Sequence, residues 1–143
     1  ALTKTGTLLS TGSGLHGIHC NKTVPNVFDS DVNRNINQST FDRNTFESIP
    51  LSFFGGTLIT AVSVGETHAA AINMNGELWM WGNNSYGQCG VPALGNEEIT
   101  IPVRPFHENQ IDQKISLVAG GGRHSLALAS DNTVYSWGNN QFG

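Results

Sequence analysis

The chain has 143 residues, 38% hydrophobic and 13% charged, enough apolar content for one domain with a core. A net charge of −4 with no run of Lys or Arg excludes the electrostatic footprint of a nucleic-acid binder, so no direct nucleic-acid contact is expected from this segment. The apolar stretches, about six to eight residues long, are too short to span a bilayer, and 17 glycines among many short apolar runs favour strands and tight turns.

In chain order, residues 1–20 are glycine-rich and end in His16, His19 and Cys20. Residues 21–48 are rich in Asn, Asp and Ser, show no sustained apolar period, and read as a polar surface loop or insertion, partly disordered. IPLSFF at 49–54 carries a proline of the kind tolerated at a sheet edge, and is expected to form an outer strand. LITAVSVG at 58–65 is a β-branched run ending in glycine, followed by HAAAIN at 68–73 and ELWMWG at 77–82. Between the last two, Met74-Asn75-Gly76 supplies residues that tolerate positive φ in a tight hairpin. The series then returns as IPVRPF at 101–106, KISLVAGG at 114–121, HSLALA at 124–129, the connector Ser130-Asp131-Asn132, and TVYSWG at 133–138.

The return is a repeat. Residues 65–87 and 121–143 register without a gap: His68 falls on His124, Trp81 on Trp137, Gly82-Asn83-Asn84 on Gly138-Asn139-Asn140, and Gly87 on Gly143. A weaker third copy places residues 1–17 on 71–87, with Gly6 on Gly76, Leu8 on Leu78, Gly12 on Gly82 and Gly17 on Gly87. Two hairpin-linked strands after an inner strand, with an outer strand from a proline-containing stretch, make a four-stranded antiparallel propeller blade. Such blades expose apolar faces that neighbouring blades cover. The expected organisation is the tail of a first repeat at 1–20, the polar loop at 21–48, a second repeat at 49–100 and a truncated third at 101–143. Because the first residue matches mid-repeat Ala71, the whole is expected to be a segment of a longer propeller, sticky on its own.

The pattern of β-run, Gly, His-Ser/Ala-apolar-Ala-apolar, turn, and apolar-aromatic-x-Trp-Gly-x-Asn-x-aromatic-Gly-Gln-x-Gly resembles the regulator of chromosome condensation repeat. The copy from Val62 to Gly90 matches nearly throughout, and that from Val118 to Gly143 matches to its last residue. The first copy departs from it, with Thr11 in place of Trp and Cys20 in place of Gly. The resemblance implies an all-β fold, a partial β-propeller belonging to a ring of roughly seven blades. It also implies an intracellular protein of the cytoplasm, nucleus, mitochondrion or cilium. Members of the family include exchange factors for the GTPase Ran, chromatin-binding proteins, a plant ultraviolet-B photoreceptor and interaction modules of ubiquitin ligases, so fold membership underdetermines function.

The recurring positions Gly65, His68, Gly76, Trp81, Gly82, Asn84, Gly87, Gly121, His124, Trp137, Gly138, Asn140 and Gly143 are expected to be structural, because a catalytic group is needed once and these recur. Each histidine is expected to hydrogen-bond turn backbone and tie strand to strand. The photoreceptor motif Gly-Trp-Arg-His-Thr is replaced by Gly121-Gly122-Arg123-His124-Ser125 and Gly65-Glu66-Thr67-His68-Ala69, so Trp79, Trp81 and Trp137 read as packing residues. His16, His19 and Cys20, with His107 and Cys89 elsewhere, lack the paired spacing of a zinc site. Cys20 and Cys89 lie in corresponding turns and are expected to be free thiols. Gly120-Gly121-Gly122 leads from strand to strand, unlike a phosphate-binding turn opening a helix. Asp29, Asp31, Glu97, Glu98 and Asp112 read as solvated surface. No catalytic residue, cofactor or metal is therefore expected. The leading expectation is a non-catalytic scaffold that binds a protein partner through loops 21–48 and 91–113; the alternative is part of an exchange factor for a Ran-like GTPase.

Overall fold

The computed structural model describes residues 1–12, 43–92, 98–105 and 114–142. Their strands form three antiparallel sheets. A two-stranded sheet pairs β1 (Leu9–Gly12) with β2 (Arg43–Ser48). A four-stranded sheet runs β3 (Ile59–Val64), β4 (His68–Asn73), β5 (Leu78–Asn83) and β6 (Glu98–Val103). A three-stranded sheet runs β7 (Ile115–Gly120), β8 (His124–Ala129) and β9 (Val134–Gly138).

The sheets stack as layers, and burial along the strands shows it. Successive residues of a strand face opposite sides of the sheet, so a strand covered on one side alternates between buried and exposed. All six residues of β4 are buried. Ala69 and Ala71 pack with Leu8, Ile49, Phe54, Ile59 and Trp81 on one side. Ala70 and Ile72 pack with Leu78, Met80, Ile115, Ala127 and Ala129 on the other. The four-stranded sheet is thus the middle layer, and its run of small alanines lets both neighbours approach. β8 alternates instead: Ser125, Ala127 and Ala129 are buried against the middle layer, while His124 and Leu126 face outward.

The repeat is visible in hydrogen bonds as well as in sequence. Asn73 N donates to Glu77 O at 3.1 Å and Ala129 N to Thr133 O at 2.9 Å, closing the same hairpin in each copy. The hairpin residue at positive φ is Gly76 in one copy (φ 78°) and Asn132 in the other (φ 68°), the two residue types that adopt the left-handed region most readily. Between layers, Ile59 N donates to Gly6 O at 3.0 Å and Ile115 N to Gly76 O at 2.8 Å, one bond repeated at both seams.

Three assignments differ from the sequence reading. Arg43–Ser48, the end of the expected polar loop, is strand β2, with Glu47 opposite Ser10 and Ser48 opposite Leu9. As an edge strand with Phe46 exposed it needs no alternating apolar pattern. IPLSFF is no outer strand: Leu51–Phe54 is a turn of 3-10 helix that follows Pro50 and ends at Gly55, where φ is 70°. Its purpose is burial, since Phe54 is fully enclosed with its ring edge-on to Trp79 and Trp81 at centroid distances of 6.3 and 5.6 Å. The proline-bearing outer strand of the middle sheet is β6, which starts at Glu98 rather than at Ile101 and contains Pro102. The expected stretch at 101–106 therefore overlaps it only in part.

Phe54→Ala is expected to destabilise the protein by about 3–5 kcal/mol, as for a buried aromatic, whereas Phe46→Ala should fall within about 0.5 kcal/mol of the parent. Equilibrium denaturation compares the two. A small effect at Phe54 would be at odds with the helical turn as a core element.

Candidate functional site

The polar groups of the repeat converge on the seam between the middle and the three-stranded sheet. The turn that follows β5 prepares one side of it. Asn83 Oδ1 accepts from Ser85 N at 3.1 Å and from Gln88 Nε2 at 2.8 Å, and Gln88 Oε1 accepts from Tyr86 N at 2.9 Å. Asn84, fully buried, accepts from Cys89 N at 3.0 Å and donates to Val91 O at 3.3 Å. Side-chain amides thus stand in for the backbone partners this loop lacks. Their effect is to aim the Gln88 carbonyl at the next sheet, where it accepts from Ser125 Oγ and from Trp137 Nε1, each at 2.9 Å.

Ser125 also meets His68, whose Nε2 lies 2.8 Å from Ser125 Oγ. A hydroxyl has one proton, and here the carbonyl of Gln88 takes it, so the histidine must donate from Nε2; with Nδ1 buried and lacking any acceptor, the ring fits this seam as the neutral Nε2–H tautomer. His68 therefore ties sheet to sheet through a side chain, and neither of its ring nitrogens bonds turn backbone, a correction to the expectation. Burial, and secondly repulsion from His124, hold its pKa below the ordinary value. His124, at the matching position, is exposed on the outward face.

Glycine is required where the two sheets nearly touch. A Cβ on Gly65 would collide with the Gly121 carbonyl oxygen and with the ring of His68, and one on Gly120 would stand 2.8 Å from Gly65 N. Gly121 is pressed in the same way by the ring of His124. Gly82 and Gly138, at φ 105° and 107°, lie beside His68 and His124. Two further bonds cross the seam, Glu66 N to Gly121 O at 3.2 Å and Gly120 N to Ser63 Oγ at 2.9 Å. At its exposed rim the Arg123 guanidinium sits over the Tyr86 ring, 4.9 Å from the centroid, and donates to its hydroxyl at 3.0 Å.

Of the recurring positions, the seam gathers Gly65, His68, Gly121 and Trp137, with Gly76 and Gly82 at its margins. Trp81 packs in the opposite core, Gly87 sits in the turn with open space around it, Asn140 is exposed, and Gly143 lies outside the described residues. Ser125, Gln88 and Arg123 were not singled out from sequence. The signal for Ser125 was the Ser/Ala alternation at that repeat position, since Ala69 occupies it in the middle sheet. Burial pushes the Cys89 thiol up to about 12, leaving it protonated and unreactive at neutral pH. No group of three or more metal-ligating side chains occurs among the described residues, and His16, His19, Cys20 and His107 lie outside them.

Known proteins share this architecture. The regulator of chromosome condensation (RCC1) repeat matches residues 75–128, and a second form of the same repeat matches 59–88 and 115–143, so that together they span 59–143. The chain belongs to the RCC1 repeat family. It is 31% identical to Protein RCC1 of Candida albicans over 100 residues, covering 68% of this chain and 22% of that protein. Yeast RCC1 (Prp20), solved bound to Kap60, superposes with a TM-score of 0.65 at 27% identity over 95% of this chain and 26% of that one. Human WBSCR16 superposes with a TM-score of 0.72 at 19% identity over 96% of this chain and 29% of that one, which shows the fold. The chain spans less than a quarter of the length of the curated relatives it matches. An RCC1 repeat chain with stacked antiparallel sheets of this kind is a partial β-propeller, and the sheets are its blades.

Ser125→Ala should cost about 1–3 kcal/mol, because it strips the buried His68 of its partner and the Gln88 carbonyl of one of its two donors. Trp137→Phe, which removes only the second donor, should cost less. Urea denaturation ranks the pair, and a neutral Ser125→Ala would contradict the seam geometry.

Proposed function

We propose that the chain is a non-catalytic protein-interaction module of the RCC1 repeat type, a segment of a larger intracellular protein whose propeller continues into further blades. The observation that carries this reading is where the repeat's polar residues go: His68, Ser125, Gln88 and Trp137 are bonded to one another across the seam and hold blades together. That makes a rigid scaffold, and recognition falls to the segments between its strands, 21–42, 91–97 and 104–113. The outward face of the three-stranded blade, with Leu117, Leu126 and Val134 exposed, fits cover by a further blade. The complex of yeast RCC1 with Kap60 supports protein partnership as the general mode.

A second reading, part of an exchange factor for a Ran-like GTPase, is favoured by the 31% identity to Protein RCC1. The exposed Arg123 and Tyr86 pair is the described feature closest in kind to a protein-contacting rim.

Replacing residues 21–42 of the full-length protein by a Gly/Ser linker should abolish capture of its partner while leaving the unfolding midpoint within a few degrees of the parent. Capture that survives the replacement, or no partner above background for the parent, would go against the loop-borne module. The same protein should not accelerate nucleotide release from a purified Ran-type GTPase; acceleration would favour the second reading.

A further inference from the structure

The buried His68 is partnered on one side only. Nε2 donates to Ser125, but Nδ1 is buried without a hydrogen-bond partner and lies against Gly65, where a Cβ would stand 2.7 Å from it. As an unprotonated acceptor, Nδ1 tolerates that apolar contact. As an N–H it would be a buried donor with no acceptor, on a ring now charged, and such groups are costly.

We propose that this seam is a proton-operated latch: on acidification His68 takes up a proton at Nδ1, and the middle and three-stranded blades part locally along the line of His68, Ser125 and Gln88. Once parted, the imidazolium is hydrated on both nitrogens. The ionisable groups around it offer little else. β3, β5 and β7 carry none, and β8 contributes His124, which opposes a second positive charge. Arg123 precedes β8 with its guanidinium turned to Tyr86, Glu66 lies in the turn ahead of His68 with its carboxylate toward Gly122, and Cys89 is held as a neutral thiol.

The direction follows from linkage. Above the ordinary imidazole range, near pH 6.5, closed and parted forms are both neutral and the latch stays shut. As pH falls through that range the parted form binds a proton that the closed form, with its lowered pKa, does not, so the closed form loses stability. The effect stops growing once pH drops below the lowered value. At the other described seam Ala69 stands where this one has Ser125, so the same histidine–serine bond cannot form there.

Amide hydrogen exchange of the full-length protein, read by mass spectrometry and corrected for the intrinsic pH dependence, tests the latch. The Glu66 and Gly120 amides cross the seam, so peptides covering 62–73 and 115–129 should lose protection several-fold from pH 7.5 to pH 5.5, while the Gly6 to Ile59 contact keeps its protection. His68→Gln retains a donor for Ser125 but does not titrate, and should flatten the response. Equal protection of the parent at both pH values, or an unchanged response in His68→Gln, overturns the proposal. Should that variant not fold, nitrogen-15 correlation spectra of the parent decide. A neutral His68 protonated on Nε2 and titrating below free imidazole supports the latch. A proton on Nδ1, or titration at or above free imidazole, ends it.

Discussion

The carbonyl oxygen of Gln88 accepts two hydrogen bonds from the neighbouring blade, and the rest of the seam is arranged around that fact. A carbonyl in a loop is free to point anywhere, so it has to be aimed. Asn83, Asn84 and the side chain of Gln88 itself do the aiming, by satisfying the turn's own backbone and folding it into one shape. With the carbonyl fixed, Ser125 must donate to it, His68 must donate to Ser125, and the tautomer of a buried histidine is set from one loop away. Each step is an ordinary hydrogen bond; in a buried chain of them, losing one leaves its neighbours unsatisfied.

Stacking supplies the second constraint. β4 is buried along its whole length because it lies between two layers, and only a strand of small residues admits neighbours on both sides so closely. Glycine takes this to its limit where Gly65, Gly120 and Gly121 bring the turns of two blades together and leave no room for a Cβ. The half-covered pattern of β8 is the same chemistry with one neighbour in place. A propeller built this way commits its distinctive residues to holding blades together.

Much of this was legible beforehand. HAAAIN and HSLALA have the strand limits that the sequence marks, since a glycine turn and a hairpin connector bound each one, and Asn132 stands in for Gly76 in the hairpin as turn chemistry allows. What was not legible depends on tertiary context. Arg43–Ser48 is a polar edge strand whose partner, β1, is far away in sequence, and Phe54 leaves a strand-like run because two tryptophans offer it a pocket. The site was legible in its residue types but not in its wiring: the repeating histidine stood out, whereas its partner, a serine that the other copy replaces with alanine, did not.

The central claim is that His68 and Ser125 stabilise the protein through each other, across two blades. A double-mutant cycle with His68→Ala and Ser125→Ala, followed by urea denaturation of the full-length protein, measures that directly. The expected coupling is about 1 kcal/mol or more, as for residues in direct contact. Additive losses, with no coupling, would mean that the seam is held by apolar packing alone and would contradict it.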